Sequence, residues 1–510
     1  MLSKILSAGL LGIDAYLVEV EVDIAMGLAN WNTVGLPESS VRESRDRVIA
    51  AIKNSGYDFH RRRITINLAP ANVKKEGTAF DLPIALGLLA SSEVIPTNRL
   101  ASFLMAGELS LHGEVKPIRG ALSIATLAKQ KKLGLILPKI NLGEATVVAG
   151  VDVYGVETLA ELVTFLTGEK DLQPALHTAY PIPTAHRTDY LIDFSEIRGQ
   201  SHAKRALEIA AAGGHNIAMV GPPGSGKTML AQRLPTILPE MSFEEALETT
   251  KIFSIAGELN GQGPLLQQRP FRAPHHTIST AGLAGGGSFP RPGEVSLAHN
   301  GILFLDELPE FKKDVLEILR QPLESGHVTI ARAASTLTFP SRFTLVASQN
   351  PCMCGYLGSS QQSCTCTPNQ VQRYRGKLSG PLLDRIDLHI EVPAVPFQEL
   401  LELKEGEPST AIRARVVQAR TIQIQRLQKL KLHANAQMAG RQIRKYCPID
   451  ATGVKILEQA VKKFKFSARS FDRILKVART ISDLANSPDI KSHHLAEAIQ
   501  YRSLDRSFVV

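Results

Sequence analysis

Hydrophobic and polar positions change period several times along the chain. Val18-Glu19-Val20-Glu21-Val22 alternates with period two, a half-buried strand running on to Ile24. Ser39 to Ser55 carries a helical pattern, and Gly56 suits its C-terminal cap. Ile64 to Leu68 alternates as a strand, Phe80 to Ser91 is an apolar helix, and Leu133 to Pro138 is a short buried strand. Glu169 to Thr188 has no period and contains Pro174, Pro181 and Pro183, which predicts a linker. A second alternating region runs from Ile192 to about Pro393. From Phe397 onward the pattern is helical, with Ala411 to Leu432 read as one long basic helix. The expected organisation is α/β: a domain over 1–170, a linker over 171–190, a core over 191–395 and a helical domain over 396–510.

No stretch approaches the ~18 uninterrupted apolar residues of a membrane span. The apolar run near Met1 is short, lacks a clear cleavage pattern and leads straight into the first strand. We therefore read it as part of the first domain and expect a cytoplasmic protein. Charge is unevenly placed. Residues 411–510 carry a net +13, the remaining 410 a net −4, within a total of +9 over 510 residues. A basic terminal domain on a slightly acidic body fits a polyanion partner or a solvated basic surface. Arg61-Arg62-Arg63, Lys74-Lys75 and Lys131-Lys132 pose the same choice.

The sharpest chemical signal is Ile217-Ala218-Met219-Val220 followed by Gly221-Pro222-Pro223-Gly224-Ser225-Gly226-Lys227-Thr228. It matches G-x-x-x-x-G-K-[ST] between a strand and a helix, Met229 to Leu234. Backbone N–H groups of such a loop wrap a β-phosphate at the positive end of the helix. Lys227 would reach the β- and γ-phosphates of ATP, and Thr228 would ligate Mg²⁺. About 80 residues on, Ile302-Leu303-Phe304-Leu305 reads as a central parallel strand ending in Asp306-Glu307. Asp306 would hold the Mg²⁺ and Glu307 would polarise the attacking water. A third strand, Phe343 to Pro351, places Asn350 where a polar side chain can orient that water.

With Arg385 in Pro381-Leu382-Leu383-Asp384-Arg385-Ile386-Asp387, and Arg469 and Arg473 in Ser467 to Arg473, this order resembles an AAA+ ATPase. The resemblance implies that Asn350 is the first sensor. It makes Arg385 the arginine finger acting on a neighbouring subunit, and Arg469, or else Arg473, the second sensor in a helical lid. A finger acting in trans implies a ring, a homo-hexamer. The alternative for Arg385 is an intrachain salt bridge with Asp384 or Asp387.

Arg269 to Ser279, then Gly285-Gly286-Gly287 and Pro290 to Asn300, resemble the magnesium-chelatase-like branch over 190–505. His275-His276 is read as making polar loop contacts, because neighbours on a strand point opposite ways. His327 to Pro340 reads as a hairpin similar to the pre-sensor hairpin of MCM helicases. The matching basic position is Arg332, a DNA-contact candidate, with Phe289 and Arg291 of the preceding loop as others. Cys352-x-Cys354 and Cys364-x-Cys366 form an insertion, 352–366, whose four thiolates suit structural Zn²⁺. Free thiols or two disulfides are the alternatives, and Cys447 reads as a small core residue.

Asn72 to Pro83 and Gly107 to Gly120 resemble the Lon proteolytic domain, also found in RadA. The Ser and Lys positions of the Lon dyad fall on Ala79 and Leu122, which implies a Lon-like α+β domain without protease activity. The combination resembles the ComM/YifB family across nearly the whole chain. That resemblance implies a hexameric ATP-dependent DNA helicase promoting branch migration in homologous recombination, during natural transformation. Its partners would be single-stranded, forked or branched DNA and recombination proteins, with no membrane role. The alternatives are an ATP-gated scaffold or loader for recombination proteins, or a magnesium-chelatase-type motor subunit.

Overall fold

The computed structural model describes residues 2–59, 62–178, 190–259, 263–287, 290–332, 335–359, 362–395, 406–430, 432–464 and 466–502. The chain forms two compact units. The first comprises residues 1–182 together with 243–266, the second 183–242 and 267–510.

The first unit is built on a seven-stranded mixed sheet. Its strands are β1 (Leu2–Leu11), β2 (Asp14–Ala25), β3 (Asn30–Val34), β4 (Arg63–Ala69), β5 (Phe103–Met105), β8 (Gly134–Pro138) and β9 (Val153–Val156), in the order β3-β4-β2-β1-β5-β8-β9. A small hairpin, β6 (Glu108–Leu109) and β7 (Val115–Lys116), lies apart from it. The N-terminal segment is β1, paired antiparallel along its length with β2. Val18, Val20 and Val22 are fully buried while Glu19 and Glu21 face outward, as the alternation predicts. The helix Asp81–Ser91 is buried at every residue, so it needs no polar face. The expected Ser39–Ser55 helix is divided at Glu43 into Ser39–Arg42 and Ser44–Asn54.

Two sequence expectations change here. Lys75 is fully buried, and its ammonium donates to the carbonyls of Val73, at 2.7 Å, and Pro70. It belongs to neither a solvated face nor a nucleic-acid patch. The helix Phe243–Ala256, from a stretch read as nucleotide-core sequence, packs within the first unit. Ser254 Oγ accepts from Gly120 N–H at 2.9 Å and donates to Glu144, whose carboxylate also accepts from Leu122 N–H at 2.8 Å.

The second unit holds a five-stranded parallel sheet. Its strands are β10 (Ile217–Val220), β11 (Phe271–Arg272), β14 (Ile302–Leu305), β17 (Thr344–Gln349) and β18 (Leu388–Glu391), in the order β11-β14-β17-β10-β18. Two antiparallel hairpins stand off it: β12 (Gly285–Gly286) with β13 (Arg291–Pro292), and β15 (His327–Arg332) with β16 (Ser335–Pro340). The second is the hairpin expected between Glu307 and Asn350. Helices Ser409–Leu427, Ala451–Phe464, Ala468–Leu484 and Ser492–Gln500 follow, and one apolar core joins the sheet to them. The basic helix spans Ser409–Leu427 rather than reaching Leu432, because the chain tightens into a 3-10 turn at Gln428–Leu430. Cys447 lies in that core, as read. Among the described residues no helix is long and apolar enough to cross a membrane.

Candidate nucleotide site and cysteine centre

β10 lies between β17 and β18, yet the chain leaves it for the far side of the sheet. The carboxyl ends of β10 and β17 therefore border a switch-point crevice, where open parallel sheets bind ligands. The loop after β10 turns into the helix Lys227–Arg233 through Gly226, at φ +88°. A Cβ on Gly221 would lie 2.1 Å from the Val392 carbonyl oxygen, so only glycine lets β18 and the loop run this close. Nothing lies within 4 Å of a Cβ built on Gly224 or Gly226, which leaves the cradle open.

The crevice is a cleft of about 380 Å³, lined by Pro223 to Met229, Asp306, Glu307 and Ser348 to Asn350. The Lys227 ammonium is buried and donates to the carbonyls of Gly221 and Pro222, both at 2.8 Å, and to Asn350 Oδ1 at 3.3 Å. Burial lowers its pKa, against the pull of Asp306 and Glu307. Thr228 Oγ1 donates to Asp306 Oδ2 at 2.8 Å. Ser348 Oγ donates to the other Asp306 oxygen, a contact the sequence reading missed although Ser348 sits two residues before Asn350. Glu307 adopts a left-handed backbone at φ +53°, uncommon outside glycine and frequent at functional sites. Its N–H donates to Asp306 Oδ1 at 3.0 Å. The donor set suits a nucleotide with Mg²⁺: an ammonium and open loop N–H groups for phosphate, and a paired hydroxyl and carboxylate as hard oxygen ligands.

Other sequence-selected residues lie elsewhere. None of Arg385, Arg469 and Arg473 lines this cleft. Arg385 pairs with Glu324, not with Asp384 or Asp387, and its Nη1 donates to the Pro381 carbonyl at 2.6 Å. Arg469 lies 3.6 Å from the same Glu324 carboxylate. Arg473 takes Asp387, which is 2% exposed. His275 and His276 occupy a turn rather than a strand, so their rings do not point apart. The centroids are 4.0 Å apart, and His276 Nδ1 lies 3.8 Å from Glu307. Arg291 is exposed on β13, opposite Gly286. Arg332 ends β15; its side chain and all of Phe289 lie outside the described residues.

The four clustered cysteines converge, with every sulfur within 4.8 Å of the others and all free of disulfides. Cys352 Sγ lies 3.4 Å from Cys354 Sγ and 3.7 Å from Cys364 Sγ. Tetrahedral thiolates at a metal–sulfur length of about 2.3 Å stand about 3.8 Å apart, so the set can close around one ion.

This is the fold of a P-loop AAA+ ATPase of the magnesium-chelatase type. Models of magnesium chelatase subunit ChlI match residues 193–400 and, for its C-terminal part, 406–502; a further model, subunit ChlI of Mg-chelatase, matches 20–141. The competence protein ComM of Haemophilus influenzae is 44% identical over 508 residues, covering 99% of this chain and 98% of its own. YifB of Escherichia coli is 43% identical over 510 residues, covering 100% of this chain and 98% of its own. The magnesium-chelatase 38 kDa subunit of Rhodobacter capsulatus is 25% identical over 231 residues, 42% of this chain and 59% of its own. The chain belongs to the ComM/YifB family.

Proposed function

We propose that this chain is an ATP-driven motor that works as a homo-hexamer on DNA. It would translocate on single-stranded, forked or branched DNA and promote branch migration in homologous recombination. The name of the competence protein relative supports a role in natural transformation. The observation that carries the reading is the placement of Arg385. The cleft has an ammonium, a hydroxyl–carboxylate pair and a candidate base, yet no arginine among its described lining residues, while Arg385 is held on Glu324. This supports the reading in which a γ-phosphate in the cleft takes its guanidinium from a neighbouring subunit, as a ring would supply it.

Within one subunit, Lys227 exchanges its loop carbonyls for phosphate oxygens. Thr228 and Asp306 would hold Mg²⁺, which would supply positive charge against that developing on the transferred phosphate. Glu307, aimed by its left-handed backbone, orients the attacking water and takes its proton. Asn350 fixes that water beside Lys227. Arg469 acts as the lid's sensor, and the β15–β16 hairpin, with Arg332, follows the DNA backbone, aided by Phe289 and Arg291. The cysteine centre is a structural Zn²⁺ site pinning the loop after Asn350. Residues 1–170 form a Lon-like domain without protease activity. Leu122 at the Lys position is fully buried and Ala79 at the Ser position has no hydroxyl.

ATP turnover with and without forked DNA, with mass photometry of the same samples, tests the reading. Stimulated turnover with a six-subunit species supports it. Turnover indifferent to DNA favours the chelatase-type motor. Stimulation without strand displacement favours an ATP-gated loader of recombination proteins.

A further inference from the structure

Glu324 belongs to no nucleotide-binding motif, yet it joins two parts of the second unit. It lies on the helix Arg320–Ser325, one turn before β15. One of its carboxylate oxygens receives both Arg385 and Arg469, the latter at 3.6 Å. These guanidinium charges also hold the Glu324 carboxyl below its ordinary range. Arg320 makes a second link to the same region. Its Nη2 donates at 3.1 Å to Ser379 Oγ, at the start of the short helix Gly380–Leu383 that leads into Arg385.

The other side of the helix is fastened to the hairpin. Gln321 Nε2 donates to Thr329 Oγ1 of β15 at 3.4 Å, and the Ser325 hydroxyl, 2.9 Å from the Gln321 carbonyl of its own helix, also stands 3.2 Å from the His327 carbonyl. Ser341 N–H, just after β16, donates to the Gly326 carbonyl at 2.9 Å. Gly326, at φ +71°, is the one pivot between helix and strand. A movement of the helix therefore tilts the hairpin base, and a load on the hairpin pulls Glu324.

We propose that Glu324 is the positioning residue that couples the arginine pair to the β15–β16 hairpin; this rests on the reading of Arg385 as acting in trans and of the hairpin as the DNA-following element. Arg385 has two competing anionic partners, Glu324 within its own chain and the γ-phosphate of the neighbouring subunit. The Arg385 side chain is 8% exposed and Glu324 50% exposed. Water can therefore solvate the carboxylate when the guanidinium leaves it. Phosphate capture frees Glu324, and the helix and hairpin move with it. Coupling of this kind is reciprocal, so DNA on the hairpin alters the hold of Glu324 on Arg385 and with it the rate of turnover.

The test is steady-state ATP turnover of the full chain with and without forked DNA, for wild type, Glu324→Gln, Glu324→Asp and Gln321→Ala. KM for ATP and the mass-photometry distribution are read in parallel. In Glu324→Gln, which no longer holds Arg385 within its own chain, basal turnover rises toward the DNA-stimulated rate and the stimulation by DNA falls by about fivefold or more, with KM and assembly within about twofold of wild type. Glu324→Asp, which keeps the charge, recovers most of the stimulation. Gln321→Ala, an exposed change that breaks only a helix–hairpin bond, weakens stimulation in the same direction, and it carries the test if Glu324→Gln does not fold. A stimulated wild type with equal stimulation in Glu324→Gln or Gln321→Ala overturns the inference alone. A wild type indifferent to DNA refutes the DNA-motor reading, and the inference falls with it.

Discussion

Replacing Arg473 by methionine should expose how the helical region is held to the sheet. Arg473 pairs with Asp387, one residue before β18. Asp387 is 2% exposed; its other near contacts are Asn216 N–H at 3.0 Å and His215 at 3.7 Å, with Lys476 contributing charge nearby. Burial opposes the charged carboxylate most strongly, but the Arg473 guanidinium, His215 and Lys476 together outweigh it and hold Asp387 far below the usual carboxylate range. Removing one partner of a buried pair costs about 3–5 kcal/mol. Since Lys476 remains, the lower end, about 3 kcal/mol, is expected. Adding Asp387→Asn removes the stranded charge, so the double variant should be less destabilised than the sum by about 1.5 kcal/mol or more. The pair's contribution is complete above the unfolded carboxylate pKa of about 4 and is lost as pH falls through the folded value. In Arg473→Met the Asp387 pKa rises, so the deficit against wild type narrows on acidification. Hydrogen exchange in the helix Ala468–Leu484 is the suitable assay, because the single tryptophan, Trp31, reports the first unit. A single-variant cost below about 1 kcal/mol, or additivity within about 0.5 kcal/mol, would refute the reasoning.

Two further outcomes are expected. Metal analysis should give about one zinc per chain, and Cys364→Ser should lower that content and the melting temperature together; a metal-free wild type after zinc-replete purification rejects the site. Ser254→Ala should destabilise the first unit by about 1.5–3 kcal/mol, seen by Trp31 fluorescence, because a buried carboxylate loses a donor. Burial already raises the Glu144 pKa, so its folded form is favoured below the unfolded value and that advantage is lost as pH rises through the folded one. The Ser254→Ala deficit should therefore be larger at pH 7.5 than at pH 5, and a pH-independent deficit would contradict the assignment.

The features legible in the sequence are those fixed over a few neighbouring residues. The valines of β2, the apolar run within the helix Asp81–Ser91 and the glycine loop after β10 each announce their surroundings by period or spacing. Features set by partners far along the chain were not legible. Lys75 looked like half of a basic pair, but its burial depends on carbonyls that the turn after β4 brings round. His275 and His276 lie side by side because a turn, not a strand, follows β11. Glu324 resembles any acid on a short helix, and its meaning comes from arginines 61 and 145 positions later.

The helix Phe243–Ala256 also has a consequence for biosynthesis. The first unit needs residues 243–266, yet 60 residues of the second, with the whole phosphate-binding loop, are made in between. At about 5–20 residues per second, a nascent chain waits roughly 4–17 s between residue 182 and residue 266 before that unit can close. During the wait, Gly120 N–H and the Glu144 carboxylate lack the Ser254 hydroxyl that pairs them in the finished unit.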